Sequence, residues 1–150
     1  MEVRAPLGSY LTPSFERARV RDAMRSWVLT CDPATPLVTI AQRMASEHVH
    51  AIVVLDDEGD SDGGPSRRPG AVLTDRDLLR SAERLSELTA GEVATGELLR
   101  VHPDDPLPET ARRMAAHGVS HAVVVDDIVE SPVGVLSTLD IAGILGWGRA

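Results

Sequence analysis

Lysine and asparagine are both missing from this chain of 150 residues, so all 15 of its strongly basic side chains are arginine. Without lysine there is no Schiff-base chemistry and no lysine-tipped phosphate loop. Cysteine occurs once, at Cys31, which excludes an intramolecular disulfide and suits a reducing, cytoplasmic compartment. Aromatic residues make up only 3%, so a core must be built from Val, Leu, Ile, Ala and Met. No apolar run approaches the roughly 20 residues that cross a bilayer. The opening MEVRAPLGSYLTPSFERARVR also lacks the apolar stretch of a secretory signal. Positive charge is in deficit as well. A formal net charge of −8 argues against a nucleic-acid partner and against docking on anionic lipid. The alanine and arginine bias is that of a GC-rich bacterial coding sequence.

What the chain does have is enough apolar content for a core, at 43%, and a copy of itself. At an offset of 70, Pro33 to Asp57 lies over Pro103 to Asp127 without a gap, and 12 of the 25 positions are identical. Beyond Asp57 the offset falls to 63, with Val72-Leu73-Thr74 and Asp77 lying over Val135-Leu136-Ser137 and Asp140. The difference of seven is absorbed by the Gly/Asp/Ser/Pro segment at 57–66, whose composition reads as a long flexible loop.

Each copy reads as strand, helix, strand, strand, helix. Thr35-Pro36 and Asp105-Pro106 offer an N-cap residue followed by a proline at the first helical position. Leu37, Ile40, Ala41, Met44 and Ala45 then recur at helical spacing, echoed by Leu107, Ala111, Met114 and Ala115. Ala51 to Leu55 and Ala122 to Val125 are apolar on both faces, which predicts central strands covered by helices. Ala71 to Leu73 and Gly134 to Leu136 are short second strands leading into helices. The fold class is therefore mixed α/β (α+β), with two copies packed about a pseudo-twofold axis.

Where second strand meets helix, both copies carry the same pattern, Thr74-x-x-Asp77 and Ser137-x-x-Asp140. A hydroxyl followed three residues later by an acid is a capping box, satisfying amides that the helix leaves open. The same geometry can serve a ligand: helix-start amides attract phosphate, and an aspartate offers two acceptor oxygens to a ribose diol.

These residues, with Val20-Arg21-Asp22-Ala23-Met24 ahead of the first copy, resemble a tandem pair of CBS domains, the Bateman module. The resemblance spans about residues 20 to 146. It implies that 1–19 is an N-terminal extension, that 20–85 is the first repeat with a flexible loop at 57–69, and that 86–150 is the second. It implies adenosine-bearing ligands (AMP, ADP, ATP or S-adenosylmethionine) held between the repeats by Thr74 and Asp77 in one site and Ser137 and Asp140 in the other. The stretch near Leu29 would face Asp140, that near Leu99 would face Asp77, and His50-Ala51 and Ser120-His121 would line the clefts. Arg76 has Leu139 as its counterpart, and His121 has Ala51. Two unequal sites are expected, with the Asp77 site better suited to phosphate and His121 lending positive character to one pocket.

Weaker signals point nowhere else. His48-x-His50 and His117-x-x-x-His121 lack further ligands, so no metal and no cofactor is expected. Trp27 and Trp147 could each stack on a base, helix packing being the commoner case; Arg67-Arg68 reads as solvated, Cys31 as a small buried hydrophobe, and Pro13 onward as an accessory helix. No nucleophile–base pair or acid pair supports an enzyme. The expectation is a regulator that senses its ligand and signals in trans to an unidentified protein. The alternative is a structural homodimerisation module, its interface drawn from Leu78, Leu79, Ala82, Leu85, Ile141, Ile144 and Leu145.

Overall fold

The computed structural model describes residues 12–56, 68–94 and 98–148. Each copy opens with a short helix, α1 (Val20–Ala23) and α4 (Ala90–Val93), followed by a two-residue strand, β1 (Thr30–Cys31) and β4 (Arg100–Val101). Then come the long helix, α2 (Leu37–Glu47) or α5 (Leu107–His117), and two strands. These are β2 (Ala51–Leu55) and β3 (Pro69–Thr74) in the first copy, β5 (His121–Val125) and β6 (Pro132–Ser137) in the second. The closing helices are α3 (Asp75–Arg80) and α6 (Thr138–Trp147).

The long helices start one residue later than their sequence suggests. Pro36 and Pro106 are themselves the caps, with extended ψ of 141° and 131°. Proline fixes φ but leaves ψ free to stay extended. Asp105, expected as a cap, instead accepts the His102 N–H at 2.9 Å and closes the preceding turn. Both helices stop on a left-handed residue, His48 (φ 53°) and Gly118 (φ 63°), at equivalent places in the two copies. The expected accessory helix at Pro13 is absent: Arg17 and Ala18 donate to the Ser14 carbonyl in a turn, and helix begins at Val20.

Two sheets of three strands result, ordered β1-β2-β3 and β4-β5-β6. The edge strand is parallel to the middle one and the hairpin partner antiparallel, with register shifts at Val54/Leu55 and Val124/Val125. The middle strands are apolar throughout because each face meets something different. Ile52 and Val54 pack under the first repeat's helices, and Ala122 and Val124 under the second's. Val53, Val123 and Val125 form a third cluster that joins the two sheets. The second face is thus covered by the other repeat rather than by helices.

The leading helices cross over. Ala18 and Val20 are buried in the core of the second repeat, and Ala90, with Leu88 beside it, in the core of the first. Backbone bonds follow the same scheme twice: Val20 N–H to Asp105 O and Leu107 N–H to Ala18 O, then Ala90 N–H to Thr35 O and Leu37 N–H to Leu88 O, all 2.8–3.0 Å. Arg21 and Asp104 add an ion pair at the first crossing.

Other expectations shift on packing grounds. Most of the proposed flexible loop lies outside the described residues, but Pro69 already opens β3, and Arg100 donates to its carbonyl at 2.8 Å. Arg68 stands 3.4 Å from Glu130 across the repeats rather than being simply solvated. Ile141 and Ile144 are buried in the second core and so cannot form an intermolecular face; Leu79, Leu139 and Leu145 are exposed instead. Among the described residues no helix is long and apolar enough to cross a membrane.

Val20→Ala removes two methyl groups from a fully buried site and should cost about 2 kcal/mol, at ~0.8 kcal/mol per buried carbon plus a cavity term. Hydrogen exchange should quicken in α5 and β5, not in α2 and β2. Equal loosening of the first repeat would contradict the crossover.

Candidate functional site

At the start of α6, Ser137 has an extended backbone (φ −106°, ψ 161°) that turns its hydroxyl and amide toward the helix. Its Oγ accepts the Asp140 N–H at 3.1 Å, and Asp140 Oδ2 accepts the Ser137 N–H at 2.9 Å. The same cap forms at α3, where Asp77 Oδ2 accepts the Thr74 N–H at 2.8 Å and its hydroxyl at 3.2 Å. Both aspartates therefore hold their own helix ends. Their free oxygens differ. Asp77 Oδ1 lies 3.9 Å from Arg80, one turn along its own helix, whereas Asp140 Oδ1 lies 3.7 Å from Arg25 Nε, far away in sequence.

Arg25 reaches Asp140 because the strap following α1 lies along β6. Arg25 and Val135 pair as an antiparallel bridge, with both N–H···O bonds at 3.0 Å. The approach is close at Gly134, where a Cβ would stand 2.7 Å from the Arg25 carbonyl oxygen and 3.1 Å from Met24 Sδ. Glycine is needed there for space alone.

Strap and helix start enclose a cleft of about 290 Å³. One wall is the strap, with Arg25, Trp27 and Leu29. A second comes from the first repeat: Val49, His50 and Ala51 leading into β2, and Asp75 at the start of α3. The third comes from the second repeat: His121, Val135 and the run Ser137–Asp140. Leu29, His50, Ala51, His121, Ser137 and Asp140, all singled out from sequence, are thus brought together. Thr74, Arg76 and Asp77 do not line this cleft. Leu99, 5% exposed, packs in the second repeat's core. Ser120 stands behind the wall, its hydroxyl 2.9 Å from His121 Nδ1 and its carbonyl accepting the Thr138 N–H.

Sequence reasoning missed Arg25, Asp75 and Leu139, and ranked base stacking by Trp27 below helix packing. Trp27 is instead half exposed at the cleft wall. Asp75 sits inside the Thr74-x-x-Asp77 motif, but its counterpart is Thr138, so the repeat gave it no weight. Arg25 has no local signal; only the long-range bridge to Val135 gives it a role.

The electrostatics of the cleft follow from these contacts. The His50 Nδ1 contact at 2.9 Å holds the Asp75 carboxyl below the usual carboxylate range against the opposing effect of burial, with the Arg76 N–H adding to it. Burial pushes the His121 imidazole below its ordinary value, and nearby Asp75 and Asp140 only partly restore it. Burial thus weakens the positive character expected of His121. Away from the cleft, burial pushes the Cys31 thiol up to about 11, which leaves it inert at neutral pH.

A family model for the CBS domain matches residues 20–63 and 90–146, more than half of the chain. The chain belongs to the CBS-domain family. Its structure is similar to the CBS domain pair of protein MJ0100 in complex with 5′-methylthioadenosine and S-adenosyl-L-methionine. The TM-score is 0.72, with 20% identity over 86% of this chain and 96% of that one. It is also similar to the CBS domain protein PAE2072 from Pyrobaculum aerophilum complexed with AMP, with a TM-score of 0.69 and 27% identity over 86% and 98% of the two chains. A curated relative, L-aspartate semialdehyde sulfurtransferase of Methanocaldococcus jannaschii, is 21% identical over 127 residues. That match takes in 85% of this chain but 23% of the relative's length. In this CBS pair, as the comparisons lead one to expect, the two sheets and their helices form mixed α+β repeats.

Because burial lowers the His121 pKa, the unfolded chain binds the proton more readily below its ordinary value of 6.5. Stability should therefore fall as pH drops through and below 6.5, and His121→Gln should flatten that part of the curve. The lowered Asp75 and Asp126 act in a separate window, their stabilisation being lost only as pH falls below 3.8. Thermal melts of both proteins from pH 7.5 to 5.5 check this; parallel curves would refute it.

Proposed function

We propose that this CBS pair is a non-catalytic, cytoplasmic regulatory module that takes an adenosine-bearing ligand in the cleft walled by Arg25, Leu29, His50, Ala51, His121, Ser137 and Asp140. One observation carries the reading: Asp140 caps its own helix with one oxygen and presents the other to a cleft built from both repeats. Carboxylate oxygens suit the hydroxyl donors of a ribose, and Trp27, Leu29 and Val135 offer apolar surface to a base. The adenosine ligands of the MJ0100 and PAE2072 domains support the same class here.

A ligand that touches the strap also touches the chain running from α1, which is anchored in the second repeat's core, to β1 in the first. Occupancy then biases the relation between the repeats to the extent that one arrangement binds better, and a partner protein reads the difference. Thr74, Arg76 and Asp77 belong to a second site in the same reading; the stretch that would face them includes 95–97, outside the described residues.

Calorimetric titration of AMP, ADP, ATP and S-adenosylmethionine into wild type and Asp140→Ala tests the site. Binding should be present in the wild type and weaken at least about tenfold in the variant, equivalent to about 1.4 kcal/mol. Unchanged affinity for every ligand would remove Asp140 from the site.

The exposed Leu79, Leu139 and Leu145 on α3 and α6 favour a further element, homodimerisation through these helices. Sedimentation should give a dimer for the wild type and a monomer for Leu79→Glu/Leu145→Glu. If that dimer forms and no nucleotide binds, the chain is a scaffold.

A further inference from the structure

The groups lining the cleft are acidic on balance. Two carboxylates, Asp75 and Asp140, meet one guanidinium, Arg25, whose Nε is already 3.7 Å from Asp140 Oδ1. Of the two lining imidazoles, His121 has its charged form disfavoured by burial. Even a proton on His50, which lies 2.9 Å from Asp75, would bring the sum only to zero.

The helix starts compensate little, because four of their amides are already engaged. At α6 the N–H of Thr138 is taken by the Ser120 carbonyl at 2.9 Å and that of Asp140 by Ser137 Oγ at 3.1 Å. At α3 the N–H of Asp75 is taken by the His50 carbonyl at 3.0 Å, and that of Arg76 by the Asp75 carboxylate at 2.9 Å. The positive end of α6 is also matched by the Asp140 carboxylate in its first turn. The Asp75 and Asp140 carboxylates are acceptors, so they welcome hydroxyl donors and repel added negative charge. The volume of about 290 Å³ is at the small end of the range of about 300–1,000 Å³ that ligand sites occupy.

Resting on the reading of this cleft as an adenosine site, we infer that it selects adenosine ligands whose 5′ substituent is uncharged or cationic and discriminates against 5′-phosphates. A phosphate would set at least one full negative charge within the same small space as two carboxylates. A thioether adds none, and a sulfonium adds an attractive one.

Trp27 lines the cleft and Trp147 is the chain's other tryptophan, so fluorescence of the Trp147→Phe variant reports this cleft. The probes are 5′-methylthioadenosine, S-adenosylmethionine, AMP and ATP, with wild-type calorimetry repeating the ranking without any substitution. The first two should bind about tenfold tighter than AMP or better, with ATP weaker still. Raising salt from about 50 to about 500 mM should leave the thioether unchanged and weaken the sulfonium. Asp75→Asn should narrow the gap for AMP. AMP or ATP binding as tightly as the uncharged ligand at Trp27 would overturn the charge selection and leave the adenosine reading standing. If none of the four moves Trp27 or gives heat that Asp140→Ala abolishes, the adenosine reading itself falls.

Discussion

Neither half of this protein can close its own core. The first repeat lacks apolar cover over Leu37 until Leu88 and Ala90 arrive from the segment that leads the second, and the second lacks cover over Leu107 until Ala18 and Val20 arrive from the segment that leads the first. A unit of such size buries a small enough share of its surface to be only marginally stable alone. The exchange of leading helices, together with the valine cluster of Val53, Val123 and Val125 between the sheets, makes one cooperative body of two weak ones.

The cleft is a consequence of that exchange. Since α1 docks on the second repeat while β1 pairs within the first, the chain between them has to cross from one to the other. The crossing is the strap that carries Arg25, Trp27 and Leu29. It can lie flat on β6 only where Gly134 leaves room for its backbone. A packing requirement and a wall of the cleft are therefore the same stretch of chain, in contact with both repeats.

Duplication has not produced identical surroundings for the two capping aspartates. Asp77 and Asp140 cap their helices alike, yet one turns its second oxygen to Arg80 on the same helix and the other to Arg25 across the cleft. The difference lies in the strap, because position 25 is arginine where the offset of 70 places Thr95 in the second copy. The Asp140 cleft sets two carboxylates against one guanidinium, and the Thr138 and Asp140 amides at its helix start are already engaged.

The amino-acid sequence by itself determined the duplication, the family and the type of nearly every element, because these follow from short-range patterns: apolar periodicity, β-branched runs and a capping box that appears twice. Motif and repeat together marked Ser137 and Asp140, and the family resemblance added Leu29, His50, Ala51 and His121 as cleft candidates. Only the tertiary structure decided that Leu99 is a core residue, that Ile141 and Ile144 are buried, that burial weakens the positive character of His121, and that Arg25 and Asp75 belong to the cleft. Each of these depends on what lies opposite a side chain in space. Burial, desolvation and the pairing of Arg25 with Val135 come from contacts more than a hundred residues apart or between different elements, and no local pattern in the chain records them.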